Sequence, residues 1–552
     1  MKIGKRCIGL LAALAVVVIV AGVLFTRYWI YIPGLIDAWR SPIGPNVEIV
    51  WQAGPAEPAQ APLERAPNIV VILVDDLGFN DLSFGGGGLG GGTVPTPHID
   101  AIASNGVTFT NGYAGNATCA PSRAAIMTGR FATRFGFEFT PAPKAFAKNI
   151  ARFNRDAGVV YFEDREPLVP EPDAMTLPAD EITIAEMLQS AGYRTLMLGK
   201  WHIGGTETSR PEKRGFDEAL GFMRGASLFL PVNDPNVVNS KQDFDPIDQF
   251  LWANLPFAVE FNGSPRFEPS QYMTDYLTDE AVKAIHANRN RPFFMYLAYN
   301  APHTPLQALK SDYDALAHIE NYTERVYAAM IVALDRGVAK VMEALRENGL
   351  EENTIVIFTS DNGGANYVGL PDLNTPYRGW KITFFEGGIH VPYFMQWPAR
   401  IPAGSTYDGP VAHVDIFATA AAAAGASRRT DRIVDGVDLV GLALGEAPRP
   451  VRPLFWRSGH YKAVLKDGWK LQVSERPEKT WLFNLATDPT EKNDLSEAEP
   501  EKRAEMMAAL VEIDGEQSDP IWPALIEAPM MIDRPMGGAP RGPDDEYVYW
   551  AN

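Results

Sequence analysis

The hydrophobic pattern of the chain alternates between short, continuously apolar runs and longer stretches with helical spacing. Apolar runs at 69–74, 195–198, 293–299 and 354–358 have the length and composition of strands that are covered on both faces. Between the last two runs, apolar side chains recur every three or four positions from Tyr327 to Leu345. This β-α-β order predicts an α/β fold with a large, mostly parallel sheet flanked by helices.

After about residue 450 the pattern changes to short alternating strands separated by turns. A charged helix near 499–514 and a Pro-rich tail follow. We therefore predict a main domain over 67–448 and a smaller C-terminal α+β subdomain with an antiparallel sheet and tail over 449–552.

The N-terminus differs from both of these parts. Eighteen uncharged residues, from Ile8 to Phe25, lie between a basic N-terminus and a cluster of aromatic side chains. This run is long enough to cross a bilayer, and the basic residues favour an N-terminus in the cytoplasm. We predict a membrane anchor within 1–30, a Pro/Ala-rich linker at 31–66, and export of the body to a periplasmic or lumenal compartment. A cleaved signal peptide is the alternative.

The charge balance limits the partners of the exported body. The chain carries 49 Lys plus Arg against 68 Asp plus Glu, a formal net charge of −19 at pH 7. Such a surface repels polyanions, so we expect no nucleic-acid partner. An anionic substrate would need a local cluster of basic side chains, and a small or chain-end substrate is favoured over a long polyanion.

Chemically capable side chains follow each predicted strand at its carboxyl end. They are Asp75 and Asp76, then Lys200 and His202, then His303, and finally Asp361 and Asn362. Ligands bind beyond these ends in open parallel sheets, so we expect the four segments to meet in one crevice. Taken singly, each has a structural explanation: the aspartates as caps, the Asp-Asn-Gly-Gly stretch as a turn, and the Lys and His residues as surface or packing residues.

The residue types at these ends suit a hard divalent cation. Asp75, Asp76, Asp361 and Asn362 offer oxygen ligands, which favour Ca²⁺ or Mg²⁺ over zinc. Arg123, Lys200 and Lys381 would then hold the remaining anionic oxygens of a substrate.

Cys119 is one of two cysteines, and it lies just ahead of a predicted helix, where amide groups and the helix dipole favour anions. The residues alone leave open a thiolate nucleophile and a buried core thiol. Cys119-Ala-Pro-Ser-Arg123, followed by Met127-Thr128-Gly129-Arg130, resembles the signature of type I sulfatases of the alkaline-phosphatase-like superfamily. The resemblance covers roughly 67–515, with PNIVVILVDDLG at its start and NLATDPTEKNDL near its end.

This resemblance implies that 67–448 is a catalytic sulfatase domain in which a maturation enzyme converts Cys119 to formylglycine. The modified residue would complete the shell of a Ca²⁺ or Mg²⁺ ion. The implied metal ligands are Asp75, Asp76, Cys119, Asp361 and Asn362, and the implied catalytic residues are Cys119, Arg123, Lys200, His202, His303 and Lys381. Lys381 lies in GWKITFFEGGIHVP, where His390 stands at a position that usually has Arg.

The implied reaction is the hydrolysis of aryl or carbohydrate sulfate esters. One hydroxyl of the hydrated formylglycine attacks sulfur, and His303 or Lys381 protonates the leaving alcohol. His202 takes the proton of the second hydroxyl while sulfate leaves and the aldehyde reforms.

Two alternatives remain at this stage. A phosphoester or phosphonate monoester hydrolase of the same superfamily is the nearest, although such relatives tend to have His after the second metal Asp and to lack the pair formed here by Lys200 and His202. A membrane-tethered, catalytically silent binder of sulfated ligands, with Cys119 unmodified, is the other.

Overall fold

The structure is a computed structural model that describes residues 13–18, 20, 22, 25, 28–153, 158–427, 431–538 and 542–552. The predicted anchor within 1–30 therefore lies largely outside the described residues. Among the residues that are described, no helix is both long and apolar enough to cross a membrane.

A nine-stranded sheet forms the centre of the molecule, as the apolar runs predict. In chain order its strands are β1 (Asn68–Val74), β2 (Val107–Tyr113), β4 (Arg194–Lys200), β5 (Glu218–Phe222), β7 (Glu260–Phe261), β8 (Phe293–Ala298), β10 (Thr354–Ser360), β11 (Tyr393–Gln396) and β12 (Ser405–Ala412). The spatial order is β12-β2-β11-β10-β1-β8-β4-β5-β7. The five central strands β10, β1, β8, β4 and β5 are parallel, which confirms the predicted α/β class.

The remaining strands form three smaller sheets. The four-stranded antiparallel sheet contains β13 (Leu454–Ser458), β14 (Tyr461–Lys466), β15 (Trp469–Glu475) and β16 (Glu478–Asn484). A three-stranded sheet pairs β3 (Val160–Tyr161) with β17 (Ile526–Met531) and β18 (Tyr547–Ala551). A two-stranded ribbon pairs β6 (Val237–Ser240) with β9 (Leu306–Leu309).

Helices cover the faces of the central sheet and the C-terminal sheet. The longer ones span Ile32–Arg40, Pro97–Ser104, Cys119–Thr128, Lys144–Phe153, Pro246–Asn254, Met273–Asn288, Tyr322–Glu347, Val414–Ala424 and Pro500–Asp514. Shorter ones span Leu89–Gly92, Ile184–Ser190, Lys310–Ala315, Glu386–Ile389 and Leu439–Ala443. The helix predicted from Tyr327 to Leu345 lies within Tyr322–Glu347, and its apolar side chains are buried.

The parallel register brings the strand ends together. β1 is buried along its whole length between β8 and β10, so its apolar run packs on both faces. At the end of β1, the amide of Asp75 donates to Ala301 O (3.1 Å), and the amide of Asp361 donates to Val74 O (3.0 Å). These bonds align the loops that follow β1, β8 and β10. The candidate site lies among these three loops.

A buried ion cluster joins the C-terminal subdomain to this centre. Lys470 Nζ on β15 lies 2.7 Å from Glu386 Oε1 and 3.0 Å from Glu491 Oε1, and all three side chains are buried. Glu386 lies five residues after Lys381 in the chain. The four-stranded sheet therefore supports the loop that carries Lys381.

Two segments that the sequence suggested were loosely structured are packed on the domain. Ile49 and Trp51, inside the predicted linker, are buried, and Trp51 Nε1 donates to Glu280 Oε2 (2.9 Å). The predicted Pro-rich tail contains β17 and β18, because the alternating run YVYWA pairs its backbone with 527–531 and buries Trp550. The predicted domain boundaries stay predictions.

Candidate active site

Asp75 and Asp76 follow β1 directly and form the acidic side of the site. Asp75 Oδ2 lies 2.6 Å from Lys200 Nζ. Asp76 adopts a left-handed conformation (φ 63°), which turns its carboxylate toward Lys381 Nζ at 2.6 Å from Oδ1. Both carboxylates are buried, so each needs the countercharge that it contacts.

Cys119 is the first residue of the helix Cys119–Thr128, and its thiol points at these carboxylates. Its Sγ lies 3.5 Å from Asp75 Oδ1, 3.8 Å from Asp76 Oδ1 and 3.2 Å from Lys381 Nζ. Every residue of this helix is buried, including Arg123 one turn later. The helix therefore places Cys119 and Arg123 on one face, beside the end of the sheet.

Arg123 and the end of β10 form the opposite side. The guanidinium donates from Nε (3.0 Å) and Nη2 (2.7 Å) to Asp361 Oδ2, and from Nη1 to the backbone carbonyl of Lys200 (3.0 Å). Asn362 Nδ2 donates to Asp76 Oδ1 (2.8 Å). Its Oδ1 is buried and has no hydrogen-bond partner within the described part of the chain.

Two histidines complete the cluster. His303 Nε2 lies 3.6 Å from Asp76 Oδ2, and its Nδ1 contacts the carbonyl of Thr304. His202 follows β4 in a left-handed conformation (φ 64°) and is buried. Neither of its ring nitrogens has a partner among the residues that the structure describes. His202 therefore keeps two nitrogens available to a ligand.

Burial and neighbouring charges set the pKa values of these groups. Burial raises the pKa of Asp75 to about 7, and the charge of Asp361 adds to this rise. Burial acts the same way on Asp76, but Lys381 and His303 outweigh it and hold its pKa below the usual range. Burial raises the pKa of the Cys119 thiol above its ordinary value, so the thiol is protonated at neutral pH.

The histidines are neutral for the same reason. Burial lowers the pKa of His303 to about 3, and it lowers that of His202 well below its usual value. Nearby lysines add to both shifts. Burial also lowers the pKa of Lys381, but the charge of Asp76 outweighs this effect and the amine stays charged.

The structure thus brings together in one cluster all ten residues that the sequence singled out. They are Asp75, Asp76, Cys119, Arg123, Lys200, His202, His303, Asp361, Asn362 and Lys381. His390 lies in a different environment, with Nδ1 2.8 Å from Glu386 Oε2 and its ring stacked on that of Tyr377, with ring centroids 4.5 Å apart.

Sequence reasoning missed two polar residues that support the cluster. The hydroxyl of Tyr367 donates to Asp76 Oδ2 (3.0 Å), and its ring lies 5.6 Å from Lys381 Nζ. His413 Nδ1 lies 2.9 Å from Ser122 Oγ beneath the helix of Cys119. Neither residue follows a predicted central strand, so nothing in the local pattern pointed to them.

A pocket of about 740 Å³ opens above this cluster. Cys119, His202, His303 and Lys381 lie among its lining residues. Its walls also include the helix Ile32–Arg40 and the end of the chain at Trp550 and Asn552. An anionic substrate group can therefore reach Lys381 from this pocket.

The donor set fits a divalent cation. Ligand atoms of Asp75, Asp76, Cys119 and His303 lie within 4.8 Å of one another. The unpartnered Oδ1 of Asn362 adds a neutral oxygen donor, as hard cations prefer. When all three carboxylates are ionised, they balance the charge of the three cations Arg123, Lys200 and Lys381. A bound divalent ion would make the site net positive.

Comparison with known proteins identifies the family. The family model described as Sulfatase matches residues 67–426. The chain belongs to the sulfatase family. The N-acetylgalactosamine-6-sulfatase of Canis lupus familiaris is 31% identical over 409 residues, covering 72% of this sulfatase and 69% of the relative. Relatives of this kind show that the protein is a sulfuric ester hydrolase.

Solved structures agree with the fold of this sulfatase. The crystal structure of Ps i-CgsB in complex with k-i-k-neocarrahexaose is 33% identical, with a TM-score of 0.69, and the match covers 83% of this chain and 95% of that one. The phosphonate monoester hydrolase of Agrobacterium radiobacter is 18% identical with a TM-score of 0.54, covering 82% and 95% of the two chains. This second likeness shows the shared alkaline-phosphatase-like fold alone.

Proposed function

We propose that this sulfatase hydrolyses aryl or carbohydrate sulfate esters with a formylglycine made from Cys119 and a divalent cation, Ca²⁺ or Mg²⁺. Asp75, Asp76, Asp361 and Asn362 would hold the cation together with the modified Cys119. The observation that carries the proposal is the position of Cys119 Sγ, at the floor of the pocket between two carboxylates and Lys381.

The environment of Cys119 argues against the unmodified thiol as nucleophile. Burial raises its pKa, and the carboxylate of Asp361 raises it further, so the reactive thiolate is rare at neutral pH. Hydrated formylglycine supplies hydroxyl groups at the same position. The cation, when bound, supplies positive charge that acidifies a hydroxyl and polarises the ester.

The cationic side chains position the sulfate group. Arg123, Lys200 and Lys381 are buried, and the carboxylates that they contact hold each of them in place. Preorganised charges of this kind stabilise the charge that develops on the transferring oxygens, at little cost of reorganisation. They also attract an anion into a protein whose net charge is −19.

The two neutral histidines and Lys381 account for the proton transfers. His202 keeps unpartnered ring nitrogens beside the pocket, which suits a base. Lys381 stays charged, contacts Asp76 and lines the pocket, so it can hold a proton for the leaving alcohol. His303 also contacts Asp76 and lines the pocket, but its neutral ring must first take up a proton before it can serve as the donor.

The charge of the protein supports a small or chain-end substrate. A net charge of −19 disfavours a long polyanion. The pocket that receives the ester is lined by the helix Ile32–Arg40 and by Trp550 and Asn552. The names of the dog relative and of the neocarrahexaose-bound structure support a carbohydrate sulfate among the candidates.

The proposal includes the setting of the enzyme. We place the domain in an exported compartment, tethered through its N-terminal segment, with a formylglycine-generating enzyme as its maturation partner and no nucleic-acid partner. The support is the apolar run Ile8–Phe25, the Cys119–Arg123 motif and the acidic charge.

The first test is the mass of the peptide that carries Cys119, from protein made in its native host. We expect this peptide to have lost H₂S and gained oxygen, and Cys119→Ala to have no turnover. A fully unmodified thiol in an active preparation would refute the mechanism, and an unmodified, inactive protein that binds sulfated ligands would support the silent binder.

The second test separates sulfate from phosphate chemistry. Turnover of 4-nitrophenyl sulfate and 4-nitrophenyl phosphate is measured side by side, after chelation and after return of Ca²⁺ or Mg²⁺. We expect a clear preference for the sulfate and restoration by a cation. A preference for the phosphate would support the phosphoester or phosphonate hydrolase alternative.

A further inference from the structure

We propose that the helix Ile32–Arg40, here called the pocket helix, lies on a lipid bilayer with one face and forms a wall of the catalytic pocket with the other. The pocket would then accept sulfate esters whose apolar alcohol portion is embedded in that bilayer. The substrate part of this inference rests on the proposed function, whereas the lipid contact does not.

The pocket helix is fixed to the catalytic domain. The amide of Gly34 donates to Asn254 Oδ1 (2.7 Å), and Asn254 Nδ2 donates to the carbonyl of Ile30 (3.0 Å). The Asp37 carboxylate lies 3.0 Å from Arg224 Nη1 and 2.7 Å from Arg266 Nη1. These contacts hold the pocket helix in one orientation against the helix Pro246–Asn254.

One face of the pocket helix lines the catalytic pocket. Ile32, Ile36 and Arg40 recur at a spacing of four, and all three are lining residues, as is Asp37. The segment that follows the apolar N-terminal run is therefore part of the wall around the site of Cys119.

The other face carries an exposed apolar stripe. Tyr28, Tyr31, Leu35 and Trp39 follow one another at spacings of three and four, which places them on one side of the helical segment. Leu35 is 67% exposed and Trp39 is 82% exposed, and about half of each tyrosine is exposed. Adjacent exposed side chains of this size mark an interaction site, and Trp and Tyr favour the boundary between lipid and water.

The chain itself indicates a bilayer as the occupant. In the sequence, the stripe begins three residues after the end of the run Ile8–Phe25, which has the length and composition to enter a bilayer. In that run the described large apolar side chains are also exposed: Leu14, Val16, Val17, Val18, Val20 and Phe25. One lipid surface covers both, with Tyr28 to Trp39 at the depth of the head groups.

The pocket wall suits an apolar alcohol. Phe222, Phe250, Leu251 and Trp550 line the pocket outside the catalytic cluster. Five of the charged lining residues are paired with each other: Asp37 with Arg224 and Arg266, and Arg210 with Glu260. The wall therefore offers apolar surface to the alcohol portion, and these five charges are engaged by one another.

The lipid contact is tested by fluorescence, without any turnover. Full-length protein is reconstituted into phosphatidylcholine vesicles that contain brominated acyl chains, which quench nearby tryptophans. We expect Trp39→Phe to lose part of this quenching and Trp469→Phe, a control on β15, to keep it. Equal quenching of wild type and Trp39→Phe would overturn the lipid contact, even if the enzyme is active.

The substrate class is tested with two esters. Leu35→Ser/Trp39→Ser should lower turnover of hexadecyl sulfate in phosphatidylcholine vesicles by about tenfold, because two interfacial side chains are lost. Turnover of dissolved 4-nitrophenyl sulfate should stay within about twofold, since neither side chain lines the pocket. Val451→Ser/Val511→Ser, which removes exposed apolar groups elsewhere, should change neither.

Two outcomes would overturn the substrate class: an equal loss on both esters, or no loss on the vesicle-borne ester. If wild type turns over neither ester, the proposed function fails, and the quenching experiment still decides the lipid contact.

Discussion

Replacing Arg123 by Met tests whether the buried charges of the site balance as the geometry indicates. Arg123 and Asp361 are both fully buried, and two N–H groups of Arg123 contact one carboxylate oxygen. Removing one partner of a buried pair leaves an uncompensated charge, at a cost of about 3–5 kcal/mol. We expect Arg123→Met to lower the free energy of unfolding by this amount in EDTA, measured by urea unfolding.

The same variant should respond more strongly to a cation. Without Arg123, three carboxylates face two cationic side chains, so Ca²⁺ replaces the lost charge and binds more tightly. Each tenfold gain in affinity adds about 1.4 kcal/mol of stabilisation at saturating Ca²⁺. The rise in stability between EDTA and excess CaCl₂ should therefore be larger for Arg123→Met than for wild type.

An arginine with partly exposed ion pairs provides the control for Arg123. Arg336 contacts Asp275 and Asp312, but it is 34% exposed, so Arg336→Met should cost roughly 1 kcal/mol or less. Arg123→Met with unchanged stability in EDTA, or with no added response to Ca²⁺, would refute the charge-balance reasoning.

Three further predictions follow from the described contacts. Burial raises the pKa of Asp81 from 3.8 to about 8, so between these pH values the folded state holds a proton that the unfolded state has lost. The free energy of unfolding therefore falls as the pH rises from 3.8 to about 8, and Asp81→Asn should reduce this slope in urea unfolding. Lys470→Met should cost about 3–5 kcal/mol, because it leaves two buried glutamates without their cation. Gly363→Ala should abolish activity and lower the melting temperature, since its Cβ would lie 1.9 Å from a backbone carbonyl oxygen.

Each of these predictions has a control. For Asp81, an unchanged pH slope in the Asn variant would assign the slope to another group. For Lys470, the added change Glu491→Gln should recover part of the loss, and no recovery would contradict the pairing. For Gly363, the comparison is Gly44→Ala, whose Cβ would lie 3.7 Å from its nearest neighbour and should be tolerated.

Four strands of the central sheet, the long helix and the seven site residues that follow those strands could be predicted from local patterns, and Cys119, Arg123 and Lys381 from the motifs around them. A strand buried on both faces requires an uninterrupted apolar run, so 69–74 and 354–358 were visible without a structure. Parallel strands end at one edge, so the polar residues that follow each run were expected to converge there, and they do. The Cys119–Arg123 motif then pointed to the chemistry.

Tertiary structure decided which distant segments complete the pocket. Tyr367, His413, the pocket helix and Trp550 reach the site through contacts with residues far away in the chain, such as the bond between Gly34 and Asn254. No local periodicity encodes such pairings, because they depend on how whole elements pack. Local sequence patterns therefore determine which reactive side chains lie at the edge of the sheet. Long-range packing determines the shape and polarity of the pocket that a substrate enters.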